Sequence, residues 1–171
     1  MGFPLEITKS FVEKYNSSGP YYVSYPTVGQ WGKFSSKEFE EALIDVYQND
    51  RNRPVKLYVH YPFCVRLCHF CHCHVMISRN KKRIDSFLDI LLKEVDMLRE
   101  FFEKNSLEPN FKDIHLGGGS PSYLDEEGFD LLVGRLGSLL DIKNIVEFSI
   151  EVDPRTVTPD KICHYSAKGV N

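Results

Sequence analysis

Two hydrophobic periods alternate along this chain, and that alternation constrains the fold more than any other feature. Segments with a period of two are followed by segments with a helical period, three times over. Residues 55–61 read as a strand. Ile84, Phe87, Leu88, Leu91, Leu92, Val95, Leu98 and Phe102 then mark a long helix. Residues 112–116 read as a second strand. Phe129, Leu132, Val133, Leu136, Leu139 and Leu140 mark a second helix, with Asp125, Glu126 and Glu127 in its favourable first turn. Residues 145–152 read as a third strand. Thr158-Pro159-Asp160 sets an N-cap and a first-turn proline for a third helix, which Lys168 and Gly169 end. Strands joined by helices imply parallel pairing with right-handed crossovers, hence an α/β fold. The chain stops at Val170-Asn171, where a fourth strand would begin. An eight-fold barrel takes about 250 residues. The expectation is therefore the N-terminal half of a partial (β/α) barrel over residues 55–171, truncated before its fourth strand. An N-terminal arm and helix occupy residues 1–54. The alternative is a complete small open sheet, but the alternation carries no closing signal.

The strands also predict what the sheet faces. A parallel sheet covered on both sides reads as a continuous apolar run. Here Val55, Leu57, Val59 and Tyr61 interleave with Lys56, Tyr58 and His60. Ile114 and Leu116 interleave with Asp113 and His115. Val146, Phe148, Ile150 and Val152 interleave with Glu147, Ser149, Glu151 and Asp153. One face can bury against helices, and the polar face must point into a lumen that holds a polar ligand. An antiparallel sheet with one wet face would alternate in the same way, but helices between the strands argue against it.

Ahead of the barrel, Ser35 and Glu38 have capping-box spacing, and Phe39, Ala42, Leu43, Val46 and Tyr47 follow a helical stripe ending before Asn49-Asp50. Residues 1–34, with Tyr21, Tyr22, Tyr25, Pro26 and Trp31, read as an ordered arm or irregular lead-in, too aromatic for a flexible linker.

Five cysteines are present, and Cys64, Cys68, Cys71 and Cys73 crowd one loop at the carboxyl end of the first strand. Such folds place their active sites at that end. An odd count and tight clustering argue for a metal site over a disulfide framework. Thiols at Cys-x3-Cys-x2-Cys spacing suit an iron–sulfur cluster, in which three cysteines leave one iron of a cubane open. A tetrahedral zinc built from these cysteines with His72, His74 or Cys73 is the competing arrangement. Cys73 follows Cys71 too closely to be the expected fourth ligand. Cys163, in the third helix, is expected to be a buried apolar thiol.

Gly117-Gly118-Gly119-Ser120-Pro121 follows the second strand, where glycines allow backbone to approach a ligand closely. It lacks the spacing of a phosphate loop. The basic run Arg79, Lys81, Lys82 and Arg83 at the start of the long helix could face carboxylates, although a solvated helix start is the commoner arrangement.

Together these segments resemble the radical S-adenosylmethionine (radical SAM) superfamily, and within it the oxygen-independent coproporphyrinogen III oxidase family. The resemblance rests on Tyr58-Val59-His60-Tyr61-Pro62-Phe63-Cys64 and the cysteine loop after it. It extends through 116–124, through Ser149-Ile150-Glu151-Val152-Asp153-Pro154-Arg155, and to the arm at Tyr22-Val23-Ser24-Tyr25-Pro26-Thr27, which related haem chaperones generally lack. The resemblance implies a radical SAM barrel and a [4Fe–4S] cluster on Cys64, Cys68 and Cys71. It further implies S-adenosyl-L-methionine on the open iron, with Phe70 near the adenine. Tyr58, Gly118, Gly119, Ser120 and Glu151 would line the cofactor pocket. The implied reaction is oxidative decarboxylation of porphyrinogen propionates to vinyl groups in haem biosynthesis, fed by an electron donor such as a flavodoxin or ferredoxin. His72 stands where these oxidases usually have Gly and His74 where they often have Asn. Leu116 replaces a common Trp, and Ser120 a common Thr. The later barrel strands are absent, so this chain alone is expected not to turn over. Other readings are an enzyme of haem breakdown, a haem chaperone, or a zinc-bearing interaction module.

Composition closes off some classes. With 21 Lys+Arg against 24 Asp+Glu, the net charge of −3 argues against nucleic acid or an anionic membrane as partner. No apolar run approaches the roughly 18 residues of a membrane span. The first residues lack a basic region leading into an apolar stretch, so no secretory signal is expected and a cytoplasmic location is the default.

Overall fold

A computed structural model describes residues 7–17, 27–69 and 71–171. The arm aromatics Tyr21, Tyr22 and Tyr25, with Pro26, lie outside the described residues. The chain divides into two compact units, residues 1–39 and 40–171.

The first unit holds a helix that periodicity did not predict, α1 (Lys9–Tyr15). Thr8 caps it by accepting from the Phe11 N–H at 3.2 Å. Seven residues are too few to display a helical stripe. The second helix, α2 (Ser36–Asn49), begins in this unit. Its capping box is reciprocal, as the spacing predicts. The Glu38 carboxylate accepts from the Ser35 N–H at 2.8 Å, and the Ser35 hydroxyl accepts from the Glu38 N–H at 3.2 Å. Phe34 meets Phe39 edge-on at 6.3 Å, stapling the entry to the helix.

The second unit is α/β. Its main sheet is parallel, in the order β1 (Pro54–Tyr61), β4 (Asn110–Gly118), β5 (Glu147–Ile150). Between β1 and β4 run β2 (Phe63–Cys64), β3 (Met76–Ile77) and the long helix α3 (Lys81–Lys104). Helix α4 (Glu126–Leu139) joins β4 to β5, and α5 (Pro159–Ala167) follows. The apolar face is the expected one. Val59, Tyr61, Ile114, Leu116 and Phe148 join Leu88, Leu91 and Val95 of α3 and Phe129, Leu132 and Leu136 of α4 in a single core. Each large apolar side chain fully buried there contributes about 1.5–3 kcal/mol.

Two local expectations need correction. The last strand is shorter than its alternation implies, because Val146 and Val152 remain 70% and 39% exposed and a 3-10 turn over Ile142–Asn144 precedes it. Cys163 is exposed, because α5 turns Tyr165 inward and carries Cys163 on its outer side. The basic start of α3 is solvated, as expected, with the exposed Lys81 ammonium 3.1 Å from both Asp85 and Asp125. Likewise α5 ends as the sequence predicts. Gly169 is left-handed (φ 107°), the Val170 N–H donates to the Tyr165 carbonyl at 3.1 Å, and the Gly169 N–H to that of Ser166 at 3.1 Å. Asn171 then meets the outer edge of β5, its N–H donating to the Phe148 carbonyl at 3.1 Å.

Candidate active site

The carboxyl ends of β1, β4 and β5 carry the residues of interest, and three elements bring them together. The first is the cysteine loop, 65–75. Phe63, fully buried, anchors its entry by edge-on contacts with Tyr61 at 5.5 Å and Phe87 at 5.4 Å. β2 and β3 close its neck as a parallel pair, Phe63 beside Met76 and Cys64 beside Ile77. Between them the Cys71 N–H donates to the Cys68 carbonyl at 3.2 Å. All are free: Cys64 and Cys71 are half-buried, Cys68 and Cys73 exposed. Burial, then the neighbouring Cys71 and Cys68 thiols, push Cys64 above the ordinary thiol range. Burial, then the neighbouring Cys71 thiol and the Glu151 charge, raise Cys73 as well.

Among the described residues, no three His, Cys, Asp or Glu side chains converge on one ion position. A four-iron cluster places each thiolate on a separate iron, so it calls for soft donors spaced around a volume. Cys64, Cys68 and Cys71, all free, are soft donors of that kind and fit the cluster.

The second element is the glycine loop at the end of β4. Gly118 has φ 115°, and a Cβ there would lie 2.7 Å from the His60 ring. A Cβ on Gly119 would lie 2.5 Å from the Pro62 carbonyl oxygen. The space these glycines leave on their side-chain side is thus occupied by β1 and by the start of the cysteine loop. Backbone hydrogen bonds complete the seam, from Gly119 N–H to Tyr61 at 2.8 Å and from Ser120 N–H to Phe63 at 3.0 Å. Ser120 is buried, and its hydroxyl pairs with that of Ser122 at 2.9 Å. Ser122 in turn accepts from the Asp153 N–H at 3.0 Å.

The third element is the polar face of the sheet. Glu151 accepts from the Gly118 N–H at 3.1 Å and lies 3.3 Å from His115 Nε2. His115 Nδ1 pairs with Ser149 Oγ at 2.8 Å, and its ring stacks on Tyr58 at 5.8 Å. His60 links this face to the cysteine loop. Its Nε2 lies 2.9 Å from the His74 carbonyl oxygen, which can only accept, so Nε2 carries the proton. In the neutral ring Nδ1 then accepts from the Tyr58 hydroxyl, 3.0 Å away. Partial burial, followed by the charges of Glu151 and Cys73, raises the Tyr58 hydroxyl above its ordinary range.

Of the residues singled out in the sequence, Tyr58, Gly118 and Glu151 therefore gather with the cysteine loop. Gly119 and Ser120 form the buried seam behind it, and Phe70 lies outside the described residues. His60, His115 and Ser149 had no assigned role. The period-two pattern that put Tyr58 and Glu151 on the polar face placed these three there as well.

No protein-family model matches the chain. Among curated proteins, it is 36% identical to the oxygen-independent coproporphyrinogen III oxidase of Salmonella typhimurium, over 95% of this chain and 34% of that protein. It is 37% identical to the protein of that name from Mannheimia haemolytica, over 85% of this chain and 94% of its relative. Among solved structures it resembles one described as "Coproporphyrinogen III oxidase (HemN) from Escherichia coli is a Radical SAM enzyme", with TM-score 0.76 and 34% identity. That match covers 88% of this chain and 33% of the other. The chain spans about a third of the length of the Salmonella and Escherichia relatives. With a relative matched over nearly its whole length and a solved structure sharing the fold, this chain belongs to the oxygen-independent coproporphyrinogen III oxidase family.

Proposed function

We propose that this chain supplies the cofactor-binding part of a radical SAM oxidoreductase that converts propionate side chains of a porphyrinogen to vinyl groups. One observation carries the reading: free thiols on a loop whose neck and seam are fixed by β2, β3 and the glycine loop. Cys64, Cys68 and Cys71 would hold a [4Fe–4S] cluster. Tyr58, Phe70, Gly118 and Glu151 would face S-adenosylmethionine, with Gly119 and Ser120 lining the pocket through the seam that backs them. When bound, these groups supply one-electron chemistry able to remove hydrogen from an unactivated carbon. The chain's own task is orientation. His60 holds the exit of the loop at His74, and Glu151, fixed by Gly118, presents a carboxylate that can accept from an amine or hydroxyl. Residues 55–171 form the barrel portion and 1–54 the arm and helix. The electron donor is a small flavodoxin or ferredoxin, and the protein works in the cytoplasm, where thiols stay reduced. Among the described residues, no helix is long and apolar enough to cross a membrane.

Anaerobic reconstitution with iron and sulfide tests the reading. It should yield about four irons per chain and a brown, oxygen-labile product with a paramagnetic signal after reduction. A colourless, air-stable chain holding one zinc would remove the proposal.

A further inference from the structure

Beside the cysteine loop lies a cavity of about 270 Å³ lined by Val65, Arg66, Arg79, Asp153, Arg155 and Thr156. Three guanidinium groups reach it from three separate segments: the cysteine loop, the residue before the N-cap of α3, and the turn after β5. One of the three is already fixed. Asp153 accepts from Arg155 Nε at 2.8 Å and from Nη2 at 2.7 Å, and this ion pair holds the Asp153 carboxyl below its usual range. Asp153 is itself held by Ser122, and Arg155 Nη2 also lies 3.7 Å from Cys68 Sγ. Arg66 and Arg79 make no ion pair among the described residues, and both are exposed. The cavity therefore carries two unneutralised positive charges, with rigid forks suited to planar oxyanions.

The basic run at the start of α3 divides accordingly. Lys81 is committed to Asp85 and Asp125, whereas Arg79 turns to the cavity. We infer that this arginine cavity is a carboxylate-binding site that seats a propionate of the tetrapyrrole substrate beside the cysteine loop. The inference rests on the proposed function and adds to it the residues that would recognise the substrate. Two sources of carboxylate are conceivable at this place, the substrate's propionates and the amino-acid end of S-adenosylmethionine. The position favours the former. The cavity is lined from the cysteine loop, the approach to α3 and the turn after β5, and shares no lining residue with the group formed by Tyr58, Gly118 and Glu151 on the sheet's polar face.

The test uses this chain reconstituted anaerobically and titrated with coproporphyrin, the fluorescent oxidised form of the substrate, with its tetramethyl ester in the same mild detergent. Binding of the acid should tighten at low salt and exceed that of the ester. R66A/R79A should weaken it by about tenfold or more, and R66K/R79K, which keeps charge but loses the fork, by less. Retention of labelled S-adenosylmethionine, measured by dialysis, should not follow the arginines. Equal binding of acid and ester, an unaffected double alanine variant, or arginine-dependent retention of S-adenosylmethionine instead of porphyrin would each overturn the site. So would loss of iron–sulfur absorbance in the double variant, because the arginines would then be holding the loop rather than a ligand. The two levels of inference fail differently. Absence of a cluster in the unsubstituted chain removes the proposed function and this site with it. A cluster without arginine-dependent porphyrin binding removes only this site.

Discussion

The loops leaving β1 and β4 sit side by side and are built on opposite plans. The glycine loop is a closed structure. Gly118, Ser120 and Ser122 are buried, their polar groups are paired, and no room remains for a Cβ on Gly118 or Gly119. The cysteine loop is paired at its neck and carries half-exposed or exposed thiols. The contrast shows how a site can be both positioned and open. Precision comes from the packed seam, and the exposed thiols beside it leave donors accessible to a ligand.

Substitutions can break that contrast. The largest effect should come from the anchor that the two loops share. Phe63→Ala empties a fully buried site and should cost about 3–5 kcal/mol in denaturant unfolding. Gly119→Ala should follow at about 2–3 kcal/mol, because its Cβ meets backbone that cannot swing away. Ser122→Ala strands the Asp153 N–H and the Ser120 hydroxyl, and should cost about 1–3 kcal/mol. On the cysteine loop the order inverts. Cys68→Ala should shift stability of the metal-free chain by less than about 0.5 kcal/mol and yet abolish iron–sulfur absorbance. Cys73→Ala should be equally mild, with the cluster still assembling. Loss of absorbance there would mean that Cys73 is a ligand and that the trio is wrongly chosen.

The sequence revealed what periodicity and caps encode. The reciprocal Ser35–Glu38 box, the Thr158 cap with Pro159, and the glycine stop of α5 are local arrangements written in a few residues. The polar sheet face was equally legible, since strand geometry forces Lys56, Tyr58, His60, His115 and Glu151 to one side. Other features depend on partners distant in sequence. Nothing near Gly119 announces that Pro62 fills the space beside it. Nothing near Cys163 indicates which side of α5 meets the core. The Arg66, Arg79 and Arg155 grouping joins residues that only the fold brings together. The resemblance named residues from several strands together, Tyr58, Gly118 and Glu151 among them, but none of these distant pairings.

The stitched neck of the cysteine loop has a consequence for upkeep. Because Phe63 and Cys64 are laced to Met76 and Ile77 by backbone pairing, the two ends of the loop are held together whether or not its thiols are engaged. A centre lost from such a loop would be rebuilt on ends already held in place, with the sheet intact.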